Sequence, residues 1–215
     1  MKFGIHAGLW MAKWTDEITP ILKIVSDLGF DGVEISLLGM SIEKAKTLNA
    51  EIKNYGLEVM CSDGLSIEAD ITSDNLETRE KGEQHLRWAI ATSSIIGAKS
   101  LAGVIYAPWG VFDPENKGFR AAKSAETFLK LDGFLKSHDI KLGIEAINRF
   151  ETDLVNTSAE AVSMAKASRS TNVGILLDTF HLNIEEKDIK SALITAGNHL
   201  IHFHVSDNDR GVPGS

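Results

Sequence analysis

Three polar residues stand where three successive candidate strands end. Glu145 lies in "KLGIEA", Asp178 ends "VGILLD", and His204 lies in "IHFHVS". Side chains alternate along a strand, so one set of end residues faces one mouth of a parallel sheet. Two carboxylates and one imidazole suit a hard or borderline divalent cation such as Mn²⁺, Co²⁺ or Mg²⁺. Each residue alone is equally well explained as a polar group bonded to the backbone, but three on consecutive strands favour a metal site.

The loops that follow these strands carry further candidate residues. His181 lies in "DTFHL", Arg149 and Glu151 lie in "NRFE", and Arg210 lies in "DNDRG". His181 can reach a substrate hydroxyl or support a metal ligand, although a lone loop histidine is more commonly a surface residue. Loop charges are usually solvated. Because these loops open on the same face as the strand ends, a substrate-binding role is favoured.

Residues near the earlier strands can complete a pocket. Trp14 and Trp109 lie in the first and fourth strand–helix loops, where large rings wall a sugar pocket or pack on a neighbouring helix. Glu34 is interpreted as a pocket residue or an internal ion-pair partner. His6 and Asp63 are further polar residues at the ends of strands and so belong to the same candidate set.

Three other charged or titratable residues receive structural interpretations. His202 shares a strand face with His204 but lies one layer deeper, which indicates a hydrogen-bonded interior histidine. Glu185 and Glu186 are predicted to lie at the solvated start of the next helix, where acidic residues favour the helix dipole.

The elements that must position these residues alternate regularly. Seven short β-rich runs occupy 3–7, 32–36, 57–63, 99–104, 141–146, 173–178 and 201–206. Helical patterns between them occupy 17–28, 41–55, 74–96, 119–138, 158–169 and 187–196. Repeated strand–helix units predict an α/β fold with a parallel sheet covered by helices.

Two features favour a (β/α)₈ TIM barrel over an open doubly wound sheet. The loop after "FGIHA" has no glycine-rich nucleotide-binding motif, and the candidate chemical residues end many different strands. We expect residues 1–215 to form a single barrel domain. A closed barrel needs eight strands, so we expect the last strand–helix unit or two to be missing from these 215 residues and the native chain to continue.

Composition excludes several classes of protein. The formal net charge is -8 with no Lys/Arg cluster, which argues against partners rich in phosphate, both nucleic acid and anionic membrane. Cys61 is the only cysteine, so neither an internal disulfide nor a thiolate zinc site is expected, and the cytoplasm is the expected location. There is no signal-peptide pattern and no apolar run near the ~20 residues of a membrane span.

Three segments carry a family resemblance. "GIEAINRFETDLVNT", "LLDTFHLNIEE" and "HFHVSDNDRGVPG" resemble the signature stretches of the ketose 3-epimerases, a group that includes the D-tagatose and D-psicose (D-allulose) 3-epimerases. That group belongs to the xylose-isomerase-like superfamily of (β/α)₈ barrels. The resemblance is specific from residue 141 onward and diffuse before it, where "GFDGVEIS" and the Trp14 loop fit.

The resemblance implies a role for each motif residue. It assigns Glu145, Asp178 and His204 to a divalent metal, Mn²⁺ foremost, with a fourth carboxylate from an eighth strand that has no counterpart here. It makes Glu145 one of two glutamates that move the proton. The O1 and O2 end of the ketose is assigned to three residues, Glu151, His181 and Arg210. Relatives often carry an aromatic residue where this chain has His6, so the preferred sugar stays open.

The implied reaction is epimerisation at C3 of free ketoses, such as D-fructose/D-psicose, D-tagatose/D-sorbose or L-ribulose/L-xylulose. A proton leaves C3 and returns from the other face through a metal-stabilised cis-enediolate. Alternatives are another isomerase of the superfamily acting on hydroxypyruvate, an inosose or a sugar phosphate, a nuclease of the endonuclease IV type, and a truncated non-catalytic sugar or metal binder. A homodimer or homotetramer is expected from the same resemblance.

Overall fold

The computed structural model describes residues 1–214. It contains seven strands and seven α-helices, with one helix in each connection between strands except the last, which holds two. The strands are β1 (Gly4–His6), β2 (Gly32–Ser36), β3 (Glu58–Leu65), β4 (Ser100–Pro108), β5 (Lys141–Ala146), β6 (Val173–Asp178) and β7 (Leu200–His204). The helices are α1 (Thr19–Asp27), α2 (Ile42–Asn54), α3 (Leu76–Ile96), α4 (Lys117–His138), α5 (Ser158–Ala167), α6 (Thr179–Glu185) and α7 (Ile189–Ala196).

The strands form one parallel sheet in sequence order, from β1 to β7. Register places Asp178 of β6 beside His204 of β7. The sheet curls strongly, because the Glu34 carboxylate of β2 lies 2.7 Å from the His204 imidazole, five strands away. This is the TIM-barrel arrangement with seven of its eight strands, and within residues 1–214 β1 and β7 are each paired on one side only.

Local sequence signals explain where several helices begin and end. The Ser41 hydroxyl accepts a hydrogen bond from the Lys44 amide and caps α2. Thr157 and Glu160 form a capping box at the start of α5. At the end of α3, Gly97 adopts a left-handed conformation with φ of 98°, which glycine enters without steric penalty. The Ser41 and Thr157 caps end loops at the carboxyl end of the sheet, whereas Gly97 begins the turn into β4 at the opposite end.

The core lies between the sheet and the surrounding helices. Strand residues such as Ile35, Leu101 and Ile144 are fully buried against helix residues such as Leu86 and Phe128. Burial of apolar surface is the main favourable term in folding. None of the helices in the described part of the chain is long and apolar enough to cross a membrane.

All seven predicted strands are confirmed, with β4 extending four residues further than predicted, to Pro108. The helix Thr179–Glu185 was not predicted, because it is short and starts directly at the end of β6. It corrects two predictions. His181 lies in this helix rather than in a loop, and Glu185 ends it rather than starting the next helix.

Candidate metal and substrate site

The three strand-end residues Glu145, Asp178 and His204 meet at the carboxyl mouth of the sheet. His204 Nδ1 lies 3.7 Å from an Asp178 carboxylate oxygen and 4.0 Å from a Glu145 carboxylate oxygen. Ligand atoms bound to one divalent cation lie roughly 3–4.5 Å from each other. The spacing and the donor types therefore suit a divalent cation.

Asp178 performs two structural tasks with its two oxygens. Oδ1 accepts a hydrogen bond from the Phe180 amide at 2.8 Å and caps α6. Oδ2 faces His204. Burial raises the pKa of Asp178, but the nearby His204 ring and the hydrogen bond from the Phe180 amide outweigh it and hold the pKa below its usual range. Asp178 is thus held as a carboxylate with one oxygen free for a ligand.

The other face of the His204 ring is held by Glu34. His204 Nε2 lies 2.7 Å from Glu34 Oε2, and His202 Nε2 lies 3.3 Å from the same oxygen. Burial alone raises the pKa of Glu34, yet the bonds from the two histidines lower it more. For His204, burial lowers the pKa, but the nearby Asp178 carboxylate and the hydrogen bond with Glu34 raise it to about 11. Of the two interpretations of Glu34, the structure supports the internal ion-pair partner. His202 also faces Glu34, but 32% of its side chain is exposed, so the predicted interior histidine is only partly buried.

Glu145 is the carboxyl group with an unusual pKa. Burial, together with the nearby Asp178 and Glu34 carboxylates, raises the pKa of Glu145 to about 7, against the opposing effects of His204 and Arg210. A carboxyl group with a pKa near the working pH is well matched to accept and return a proton. Its position next to both His204 and His181 makes it central to the site.

His181 is buried beside Glu145, with 2% of its surface exposed, so it is not the surface residue that a lone histidine more commonly is. The Asn148 backbone amide donates to His181 Nδ1 at 3.1 Å. A backbone N–H only donates, so the proton of the neutral ring lies on Nε2. Burial lowers the pKa of His181 and favours this neutral form. Nε2 faces Glu145 Oε1 at 3.9 Å and Arg210 Nη2 at 3.1 Å.

Two donors therefore converge in this part of the mouth. His181 Nε2–H and the Arg210 guanidinium both lack acceptor capacity. An acceptor oxygen that bridges them, such as a carbonyl or hydroxyl oxygen of a sugar, would satisfy both. Arg210 also stacks over the Phe180 ring at 4.3 Å, which restricts its orientation.

Glu151 lies beside these donors and is held by hydrogen bonds to both oxygens. The Trp109 indole donates to Oε2 at 3.0 Å, and the Asn148 side chain donates to Oε1 at 2.8 Å. Burial raises the pKa of Glu151, but these two bonds have the larger effect, and the pKa lies below its usual value. Arg210 lies 3.9 Å away. The sequence did not single out Asn148. Its position between the candidate residues Glu145 and Arg149 was a usable signal.

Two of the expected residues lie on the β1 side of the mouth. The rings of His6 and Trp14 meet edge to face with centroids 5.9 Å apart. The Gly8 amide donates to His6 Nδ1 at 2.9 Å, and His6 Nε2 lies 3.7 Å from Glu34 Oε1. His6 and Trp14 thus lie near Glu34 rather than near His181 and Arg210.

Three acidic residues do not occupy their expected positions. Asp63 points to the outside of the sheet, where it pairs with His85 of α3 at 2.8 Å, so it is not a mouth residue. Glu185 is not solvated, since 5% of its side chain is exposed and it accepts from the Arg149 backbone and guanidinium. Glu186 accepts from the Ser158 amide. The prediction of a solvated acidic helix start was wrong.

Two groups of side chains in residues 1–214 bring ligand atoms within 4.8 Å of one another. One is Glu34, His202 and His204, and the other is Glu145, Asp178 and His181. In the first group the carboxylate is already hydrogen-bonded to the His204 ring and lies 3.3 Å from the His202 ring. In the second, His181 presents N–H and not a lone pair. His204 Nδ1 is therefore the imidazole nitrogen best suited to join Glu145 and Asp178.

The chain resembles known proteins along its whole length. Residues 22–215 match the family described as xylose isomerase-like TIM barrel. D-psicose 3-epimerase of Agrobacterium fabrum is 30% identical over 219 residues, covering 100% of this chain and 76% of that protein. L-ribulose 3-epimerase of a Methylomonas species is 29% identical over 217 residues, with the same coverage of 100% and 76%. The chain belongs to the ketose 3-epimerase group of this family.

A solved structure agrees with the assignment to the ketose 3-epimerases. A crystal structure of D-psicose 3-epimerase in the presence of D-fructose superposes with a TM-score of 0.94 at 30% identity, over 100% of this chain and 76% of that one. Ketose 3-epimerases are isomerases that act on sugars, and this protein is an enzyme of that class. The likeness covers the first half of the chain as well, where the sequence motifs indicated only a diffuse match.

Proposed function

We propose that this protein epimerises free ketoses at C3, using Glu145 to move the proton. One observation carries the proposal. The same buried Glu145 oxygen lies 4.0 Å from the candidate ligand nitrogen of His204 and 3.9 Å from the donor nitrogen of His181. The carboxyl group thus stands between a place for a cation and a place for an acceptor oxygen. The relatives named as D-psicose and L-ribulose 3-epimerases support this choice of reaction.

Inverting C3 requires a proton to leave from one face and return from the other. The C3 proton is acidified because C3 is bonded to the C2 carbonyl carbon. With its pKa near 7 in the metal-free site, Glu145 is suited to hold the proton that leaves C3. The family resemblance assigns the proton transfer on the opposite face to a second glutamate, on an eighth strand.

The remaining residues bind and orient the sugar. His181 Nε2–H and the Arg210 guanidinium donate to oxygens at the carbonyl end, and Glu151 accepts from a sugar hydroxyl. Asn148 and Trp109 hold Glu151 in place through its two oxygens. The exposed Trp109 and the half-exposed Trp14 wall the mouth, and His6 contacts the far end of the sugar.

Glu145, Asp178 and His204 would hold a divalent cation, for which Mn²⁺ is proposed first and Co²⁺ or Mg²⁺ next. When bound, such a cation supplies Lewis-acid stabilisation of the negative charge that develops as the proton leaves C3. The proposal includes a single barrel domain, a cytoplasmic location and a homodimer or homotetramer.

Exchange of the C3 proton with solvent tests the function. D-fructose, D-tagatose and L-ribulose are each incubated with the protein and Mn²⁺ in D₂O. The Mn²⁺ is then removed with a chelator, and NMR measures which carbon positions of the sugar carry deuterium. Deuterium at C3 together with the C3 epimer is expected. Deuterium confined to C1 indicates aldose–ketose isomerisation and contradicts the proposal. Bound Mn²⁺ without exchange for any sugar identifies a non-catalytic binder and contradicts it as well.

A further inference from the structure

We propose that Glu34 is a positioning residue that holds the His204 ring with Nε2–H toward β2 and Nδ1 toward the cation. The inference rests on the metal site of the proposed function but not on the identity of the sugar. It adds to the site a residue that contacts neither sugar nor cation. The supporting contact joins residues 170 positions apart in the chain.

The geometry of the His204 ring carries the first step. Its Nε2 lies 2.7 Å from Glu34 Oε2, while Nδ1 faces Asp178 and Glu145 at 3.7 and 4.0 Å. An ionised carboxylate only accepts hydrogen bonds, so the short contact places a proton on Nε2. The nitrogen left to offer a lone pair is then Nδ1, which points at the two candidate carboxylate ligands.

The burial of Glu34 carries the second step. Only 7% of its side chain is exposed, and within residues 1–214 its Oε1 has no hydrogen-bond partner. A carboxylate placed there loses hydration, which is costly unless donors replace the water. The rings of His6, His202 and His204 surround it, at 3.7, 3.3 and 2.7 Å. An apolar residue could join β2 to β7 without this cost, which favours a role for the charge itself.

A purely structural role for Glu34 makes a different prediction. If Glu34 only tied β2 to β7 across the curled sheet, removing its charge would change stability and leave cation affinity unaltered. If Glu34 orients His204, the charge sets cation affinity even in a protein that folds normally. Partners of metal-bound histidines of this kind typically change metal affinity about 10- to 100-fold when altered.

The test compares Glu34→Gln with a matched control, Asp63→Asn. Asp63 is another buried carboxylate that pairs with a histidine, and it lies outside the mouth, 2.8 Å from His85. Calorimetric titration with Mn²⁺ and no sugar should show affinity about 10- to 100-fold weaker for Glu34→Gln and within about twofold of wild type for Asp63→Asn. Because the glutamine amide keeps an acceptor oxygen, Glu34→Ala should lose more affinity than Glu34→Gln. Wild-type affinity in Glu34→Gln overturns the inference.

A second measurement on the wild-type protein does not depend on any variant folding. With Zn²⁺ as a diamagnetic probe, ¹⁵N NMR of labelled histidines should show His204 protonated at Nε2 and metal-bound at Nδ1. Metal bound at Nε2 overturns the inference. If the protein binds Mn²⁺ but exchanges no C3 proton, the proposed epimerase function fails while Glu34 keeps its role. If wild-type protein binds no Mn²⁺, both proposals fail.

Discussion

His204 and His181 lie on two sides of one Glu145 oxygen, at nearly equal distances of 4.0 and 3.9 Å. The hydrogen-bond partners on their far sides are nevertheless of opposite kinds. His204 is bonded on its far side to the Glu34 carboxylate, which accepts. His181 is bonded on its far side to the Asn148 backbone amide, which donates. Each far-side partner decides which nitrogen of the ring carries the proton.

The difference suits one residue type to two proposed tasks in one mouth. Acceptor partners raise the pKa of His204 to about 11. Nδ1 is then the ring nitrogen from which a cation can displace a proton. Burial lowers the pKa of His181 and keeps that ring neutral, with N–H directed at the site. On the proposed function, the first ring is suited to bind a cation and the second to donate a hydrogen bond to the sugar.

The largest expected effect separates the two histidines directly. His204→Ala should weaken Mn²⁺ binding and reduce C3 exchange at least about 10³-fold, because it removes a ligand and the charge stabilisation that depends on it. His181→Ala should leave Mn²⁺ affinity within about threefold and reduce exchange through weaker sugar binding. Calorimetry and deuterium exchange measure the two quantities. Equal losses of cation affinity in the two variants would contradict the comparison.

Cation affinity should rise with pH, because the cation displaces protons. His204, with a pKa of about 11, gives up one proton throughout the range from pH 6 to 8, and Glu145, with a pKa of about 7, gives up a second at the acidic end. Each displaced proton changes affinity about tenfold per pH unit, so Mn²⁺ affinity should rise about 10³-fold from pH 6 to 8. Titrations in buffers of different ionisation enthalpy count the protons. In His204→Ala the slope should fall by about one, and an unchanged slope would show that His204 releases no proton.

Glu145→Gln should reduce C3 exchange about 10²-fold or more, because the proton acceptor is lost. It should also stabilise the metal-free protein at alkaline pH. The pKa of Glu145 is raised from 4.5 to about 7, so its contribution to stability is present below pH 4.5 and is lost as pH rises through 7. At pH 8 the free energy of unfolding of the variant should exceed that of wild type by up to about 3 kcal/mol. Urea denaturation at pH 4.5 and 8 measures the change, and a variant less stable than wild type at pH 8 would contradict the raised pKa.

Asn148→Ala tests the side of the mouth formed by His181 and Glu151, and its expected effect is smaller. It removes the side-chain amide, which donates to Glu151 and also lies 2.9 Å from His181 Nδ1, but keeps the backbone amide that bonds His181 Nδ1. We expect KM for the ketose to rise about tenfold, the effect of losing about 1.4 kcal/mol of binding, with cation affinity unchanged. Steady-state kinetics with calorimetry as the control measure both. A loss of Mn²⁺ affinity would show that the two sides of the mouth are not separable.

Trp109→Phe should have the smallest effect. It keeps an aromatic ring on the wall of the mouth and removes the indole N–H that donates to Glu151 at 3.0 Å. Because Trp109 is 61% exposed, water can replace this donor, and KM should rise only about two- to threefold. Asn148→Ala in parallel gives the reference. A larger effect from Trp109→Phe would mean that the ring itself stacks on the sugar.

Much of the fold was predictable because it depends on local patterns. Apolar runs of β-forming residues marked the seven strands, and helix caps such as Ser41 marked helix starts. The helix Thr179–Glu185 was not predictable in this way, since Asp178 serves as both strand end and helix cap. A seven-residue helix has too few turns to show an amphipathic period.

The sequence by itself determined which residues end the strands and therefore which side chains belong to the carboxyl face, because strand and helix periods are local properties. Tertiary structure decided the rest. Asp63 pairs with His85 outside the sheet, and His181 is buried by its contacts with the Asn148 loop. Glu34 reaches His204 only because the sheet curls until β2 and β7 face each other. Proton positions on the histidines depend on such long-range partners, so the task of each ring follows from the folded chain and not from its place in the sequence.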